Sequence, residues 1–444
     1  MNLPKYQHGT ETEIDYTIAE TTGYPGYTAS TEEPVASGET ITNTQDVTST
    51  DANKAWLNAD GTTDAPEGAS VVFTLYADGE ATDYTVTLDG TTETAPTVTG
   101  GYESEAWKAS FVNLPKSKIV DGKAVDIVYT VVESGTYAGY TPTSTDPVAD
   151  GGTITNKQDD TDVNASKIWE NADGTDTAPE GATVIFTLYA DDEATEYTVT
   201  LDGEVDETVP EVTGGYESEA WKAAFVHLPK YKADGVTEIV YTIAETTGYT
   251  GYKASTTDPV ESGESITNTQ LDAQIDLLKI GDGDVDTTLD GVEFELYSVW
   301  NGFDATDNVK ATDSSGKAIG TIITADGGKA AIGKLLPGTY YLVETKAADG
   351  YKMLTDPVTI TIELTDKDPG YTVSYKQIGY NDSNASALTP DSDGTYLITV
   401  SNSSGVELPN AGGQGTFAYT LTGITMMAAA GLILVLQKKR RIEA

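Results

Sequence analysis

The chain repeats itself, and that repetition restricts its fold more than any other feature. Lys54-Ala55-Trp56 returns as Lys167-Ile168-Trp169, and Phe73-Thr74-Leu75-Tyr76-Ala77 returns at 186–190. The stretches 101–107, 128–133 and 153–156 return at 215–221, 240–245 and 265–268. Residues 3–45 match residues 228–270 at a constant offset, Glu20 falling on Glu245 and Asn43 on Asn268. A repeat of this length is one small domain, so the chain reads as an array of units at 46–158 and 159–270. The back half of another unit, 1–45, precedes them. Half a unit cannot cover its own apolar face and is expected to pack poorly. A third full unit, 271–405, keeps the skeleton with little identity.

Inside each unit, short alternating runs lie between Gly, Asp and Asn turns, as at 70–76, 83–88, 106–112 and 126–133. The 26 Tyr against 7 Phe suit half-buried strands. Before the tail, no segment sustains a 3.6-residue apolar period. The expected fold is all-β, a series of β-sandwiches.

Charge and missing residue types narrow the function. A net charge of −46 opposes nucleic acid and anionic membranes as partners. There is no Cys, hence no disulfide, no thiol nucleophile and no His/Cys metal site. Only His8 and His227 are present, and His227 stands where the other repeat has Asn113. The reading is therefore a non-enzyme without cofactor or metal. Asp282, Asp284, Asp286 and Glu293 fit positions 1, 3, 5 and 12 of a Ca²⁺ loop. However, Thr287 stands where the sharp turn needs Gly, and Glu293 falls in a predicted strand, so an acidic inter-strand loop is preferred. Residues 1–20 lack the apolar stretch of a signal peptide, and the sequence is expected to start in mid-domain.

Three polar residues per unit share the apolar register of their strands. Side chains two apart on a strand face the same way. Lys54 thus lies with Trp56, Lys167 with Trp169, and Lys279 with Ile275 and Leu277. Glu133 lies with Tyr129 and Val131, Glu245 with Tyr241 and Ile243, Glu344 with Tyr340 and Leu342. Asn156, Asn268 and Asn402 follow Ile154, Ile266 and Val400. Burying a lone Lys or Glu costs several kcal/mol, so such groups pair or shift toward neutrality. A neutral amine beside a protonated Glu and an Asn carboxamide can attack it, lose ammonia and leave an isopeptide bond. The alternatives are a buried ion pair, or polar registers that face outward.

The Lys-x-Trp start, the Leu-Pro before a Tyr-Thr-x-x-Glu strand and the closing Ile-Thr-Asn resemble collagen-adhesin B-type (Cna-B) repeats. The run 341–351, Tyr-Leu-Val-Glu-Thr-Lys-Ala-Ala-Asp-Gly-Tyr, resembles the E-box of Gram-positive pilins. The resemblance implies tandem immunoglobulin-like Cna-B sandwiches in a rod. It also implies autocatalytic bonds Lys54–Asn156, Lys167–Asn268 and Lys279–Asn402, assisted by Glu133, Glu245 and Glu344. The half-unit keeps Glu20 and Asn43 without a lysine and can form none. Each bond would close a loop of about 100 residues or more, worth roughly 4.7 kcal/mol in the chain-entropy treatment of disulfides.

The tail has three parts. Leu408-Pro409-Asn410-Ala411-Gly412 and linker (406–414) precede an apolar span at 415–437, long enough to cross a bilayer as one helix. Lys438, Lys439, Arg440 and Arg441 then hold a basic end, 438–444, on the cytoplasmic side. The order resembles an LPxTG cell-wall sorting signal, with Ala411 in place of the usual Thr. The resemblance implies transient membrane insertion, cleavage by sortase between Ala411 and Gly412, attachment to peptidoglycan, and a Gram-positive cell surface. The expected function is a wall-anchored stalk or adhesin. A pilin subunit and the stalk of a surface enzyme are the other readings; a host matrix protein or other pilin subunits would be the partners.

Overall fold

The computed structural model describes residues 2–381 and 387–405, and every helix or strand among them is a strand. The motif at 408–412 and the apolar span at 415–437 lie outside the described residues.

The first full unit packs two sheets face to face. Its five-stranded sheet runs Tyr140–Pro142, Gly152–Gln158, Val47–Leu57, Lys108–Pro115, Gly100–Glu105; its three-stranded sheet runs Tyr129–Ser134, Val71–Ala77, Glu80–Leu88. Alternation sends Phe73, Leu75, Leu88, Phe111, Leu114 and Val131 inward, all fully buried. The second unit has the same strand order. In the third, Asp284–Thr288, Ala273–Gly281 and Lys329–Leu335 form one sheet, with Tyr396–Asn402 paired to Ala273–Gly281. The facing sheet includes Glu293–Val299, Gly338–Lys346, Val358–Leu364 and Tyr371–Lys376.

One pairing closes each sandwich. Val47–Leu57 lies parallel to Gly152–Gln158, and Ala273–Gly281 lies parallel to Tyr396–Asn402. Parallel neighbours cannot be joined by a hairpin. The first strand of a unit therefore meets the last only after the chain has run through both sheets.

Two expected strands begin or run differently. The one expected at 106–112 starts inside a turn: Trp107 has φ +66, which breaks the alternation between Gly100–Glu105 and Lys108–Pro115. The cause is Glu103, 1 % exposed, whose carboxylate accepts the backbone N–H groups of Asp89, Gly90 and Trp107 at 3.0, 3.1 and 2.7 Å. Glu217 does the same for Asp202, Gly203 and Trp221. The run expected at 126–133 divides into Lys123–Asp126, in an exposed hairpin, and Tyr129–Ser134. Asn113 and His227 have φ +56 and +53. That left-handed geometry tolerates Asn and His better than most residues, so the two interchange there.

Residues 2–45 form only two-stranded pairs, Thr17–Ile18 with Val35–Ala36 and Tyr27–Ala29 with Asn43–Gln45. None of these residues is buried. The half-unit and the first two full units are joined at an aspartate, where the next joint has Leu271. Asp159 donates its N–H to the Gly139 carbonyl (2.9 Å), accepts from the Lys230 N–H (2.9 Å), and takes the Thr141 hydroxyl on its carboxylate (2.6 Å). Asp46 repeats these contacts with Gly26, Lys116 and Thr28.

Removing the buried carboxylate should orphan three backbone donors. Glu103→Ala and Glu217→Ala should each cost about 3 kcal/mol, and exposed Glu105→Ala less than about 0.5 kcal/mol. Urea unfolding midpoints of the three variants check this.

Candidate functional site: a buried Lys, Glu and Asn in each domain

In the first unit, two adjacent inner strands of the large sheet, the first and the last of the unit in chain order, carry the lysine and asparagine, and the small sheet carries the glutamate. Lys54 pairs in register with Ile154, and Asn156 stands two residues further on, on the same face. Glu133 reaches down from the opposite sheet, where it pairs with Phe73. The third unit repeats this spacing despite its divergent sequence. Lys279 pairs with Val400, two residues before Asn402, and Glu344 pairs with Phe294. In the second unit Glu245 pairs with Phe186. Lys167 and Asn268 are 4 % and 1 % exposed.

The contacts are short. Lys54 Nζ lies 3.4 Å from Glu133 Oε2, and Asn156 Nδ2 donates to Glu133 Oε1 at 2.8 Å. Asn156 Oδ1 is buried with no hydrogen-bond partner. In the second unit Lys167 Nζ lies 3.4 Å from Glu245 Oε2 and donates to the Ile266 carbonyl at 3.0 Å. In the third, Lys279 Nζ meets Asn402 Oδ1 at 2.6 Å, and Asn402 Nδ2 donates to Glu344 Oε1 at 2.7 Å. Glu344 Oε2 takes the Leu354 N–H at 2.7 Å.

Burial sets the charge states. Desolvation brings Lys54, Lys167 and Lys279 down to about 8, against the pull of the neighbouring glutamates. Burial raises Glu344, opposed by the Leu354 N–H, Lys279 and Asn402. An ammonium with a carboxylate and an amine with a carboxylic acid hold the same number of protons. For Lys279 and Glu344 both shifts run toward the second arrangement, the amine down and the acid up. In that arrangement the third unit holds a nucleophilic nitrogen, a carboxamide carbon bonded to the oxygen it touches, and an acid on the leaving nitrogen.

The alternation rule places all nine predicted residues on inward faces, but it does not reveal what covers them. Trp56 is packed edge-on by Trp107, Tyr137 and Tyr140, with centroids 5.3–5.4 Å apart, and Lys54 Nζ sits 4.5 Å from its ring centroid. Tyr249 and Tyr252 pack the same way on Trp169. The third unit has Gly281 two residues past its lysine. A side chain there would meet the Tyr351 ring at 2.5–2.7 Å, so an aromatic ring from another segment fills that place. The half-unit keeps part of the arrangement: Asn43 Nδ2 donates to Glu20 Oε1 at 3.0 Å, in the open. Asp282 and Asp284 hold the Ser404 N–H and the Asp286 N–H, and Glu293 pairs with Lys346. No group of metal-ligating side chains is found among the described residues.

The family model for the Cna protein B-type domain matches residues 50–157 and 163–269. A model for a prealbumin-like fold domain matches 273–377, and one for the LPXTG cell wall anchor motif matches 400–443. Among solved structures, two B repeat units of the collagen binding protein of Staphylococcus aureus are 22 % identical, over 91 % of this chain and 86 % of that one, with a TM-score of 0.29. The major pilin subunit of Bacillus cereus is 15 % identical, over 81 % of this chain and 100 % of that one, with a TM-score of 0.32. No curated protein matches.

A variant without the Asn402 carboxamide reads the titration of Lys279. A lysine held near 8 when folded and near 10.5 when unfolded binds fewer protons in the folded state between those values. Stability of Asn402→Ala should therefore rise as pH goes from about 8 to about 10. Lys279→Met in the same background should abolish the rise. Unfolding midpoints across that pH range read it.

Proposed function

The chain is a secreted, cell-wall-anchored surface protein built from Cna protein B-type domains and a prealbumin-like fold domain, and we propose that it acts as a load-bearing stalk whose full domains cross-link themselves. The observation that carries this reading is the recurrence of one cluster. Lysine, glutamate and asparagine meet in the same register in the first unit and in the divergent third.

The reaction uses only these residues. Lys Nζ attacks the Asn Cγ. The glutamate accepts a proton from Nζ and delivers one to Nδ2. The Cγ–Nδ2 bond breaks, ammonia leaves, and a Cγ–Nζ amide remains. Glu133, Glu245 and Glu344 act as shuttles for Lys54–Asn156, Lys167–Asn268 and Lys279–Asn402. In the proposed anchoring, sortase recognises Leu408 to Gly412, cuts after Ala411 and joins the chain to peptidoglycan.

Intact mass tests the cross-links. The folded chain should lack one ammonia for each full domain. Glu133→Ala, Glu245→Ala and Glu344→Ala should each restore one, and a full-mass wild type refutes the reaction. Anchoring has its own readout. Pro409→Ala should move the chain from the detergent-resistant wall fraction to the membrane fraction and leave the mass deficit unchanged.

A further inference from the structure

In both repeats the hairpin after the first inner strand is tight: Val71–Ala77 and Glu80–Leu88 are joined by Asp78 and Gly79 alone. The third domain replaces that turn with a loop, 300–308, between Glu293–Val299 and Val309–Lys310. The loop carries Trp300, the one Trp of five outside the two repeats. Trp300 stands between Tyr297 and Phe303, with centroids at 4.9 and 5.2 Å and ring planes at 54° and 89°. Phe303 is 55 % exposed.

The loop is braced from inside. Asn308 accepts the Asn301 N–H at 2.7 Å and donates to the Gly302 carbonyl at 2.8 Å; Asn301 Nδ2 donates to Asp307 at 2.9 Å. The Tyr297 hydroxyl and Lys310 share Glu295, at 2.6 and 2.8 Å. Aromatic side chains on a loop held this way form a preorganised surface. They edge a cleft of about 480 Å³ whose other walls include Thr345 and Met353.

The cleft opens where the chain leaves the domain. Met353 follows Tyr351 and Lys352; Tyr351 bridges to Ser404, and Lys352 donates its N–H to the Ser403 carbonyl at 3.0 Å. Leu408 comes three residues after Gly405, at most about 10 Å of extended chain. The cleft wall at Met353 thus adjoins the segment that pairs with Ser403 and Ser404, the stretch that precedes Leu408 in the sequence.

We infer that Trp300, Phe303 and the cleft beside them bind a glycan strand of the cell wall without covalent attachment. This rests on the wall anchoring of the chain. A pyranose offers an apolar C–H face to an aromatic ring and equatorial hydroxyl or acetamido groups to a polar rim, which Lys310, Asn308 and Thr345 provide. Charge separates the wall polymers. A chain of net −46, with Glu295 already paired to Lys310, favours uncharged N-acetylated glycan over phosphate-bearing polymers.

The test adds purified full chain, in mild detergent, to sacculi stripped of anionic polymers. Bound chain is released by boiling in detergent. This release scores non-covalent binding alone, so the outcome is independent of sortase attachment. We expect the wild type to pellet and a soluble N-acetylglucosamine oligomer to compete. Phe303→Ala should weaken binding about tenfold and Phe303→Tyr should restore it, with unchanged unfolding midpoints. Trp300→Ala with Phe303→Ala should abolish it. Equal pelleting of wild type and variants overturns the inference. So does binding that needs the anionic polymers, or a patch that only drives self-association by light scattering.

Discussion

Each domain is organised around an amine that water cannot reach. Lys54, Lys167 and Lys279 are 6 %, 4 % and 0 % exposed. An isolated ammonium in such a place costs several kcal/mol, so the fold survives only if the neighbourhood answers it. The answer comes from both layers. The small sheet supplies a glutamate, and the large sheet supplies backbone carbonyls and an asparagine. Removing any one member leaves a polar group stranded between two sheets. This is why the spacing survives in the third domain while most of its other residues differ.

The same cluster sits where load would enter and leave. Tension along the chain arrives through the first strand of a domain and departs through the last. These two lie side by side and parallel, so opposite pulls on their far ends shear the pairing. The proposed amide joins the two strands directly. Force would then pass through a covalent link and bypass the rest of the sandwich. Between units, Asp46 and Asp159 bind carbonyl, amide and hydroxyl together, so the joint is also tied to ordered backbone.

Much of this was legible because a strand has a period of two. That rule alone puts Lys54 beside Trp56 and Glu133 beside Val131, and the sequence repeats delimit where it applies. It fails where the backbone leaves the pleat. Trp107 at φ +66 looks in sequence like one more strand residue, and the three donors that hold it there come from a distant turn and from its own N–H. Glu103 alternates as a surface residue would, yet it is buried by bonds to backbone that no side-chain pattern records. Tyr351 was legible as part of a motif, but not as the ring occupying the place opened by Gly281. Trp300 and Phe303 stand outside any repeat, so no second copy marked them.

The half-unit separates two parts of the chemistry. Glu20 and Asn43 find each other at 3.0 Å although nothing around them is buried. The same pair is 23 residues apart in the first full unit, so both members come from the back half of the repeat. The lysine comes from the front half, on the strand that must travel round both sheets to arrive. Pairing of the first strand with the last places the amine and the buried surroundings there together. Closure of the sandwich supplies both requirements together, so the proposed cross-linking would be confined to a domain that has already folded correctly.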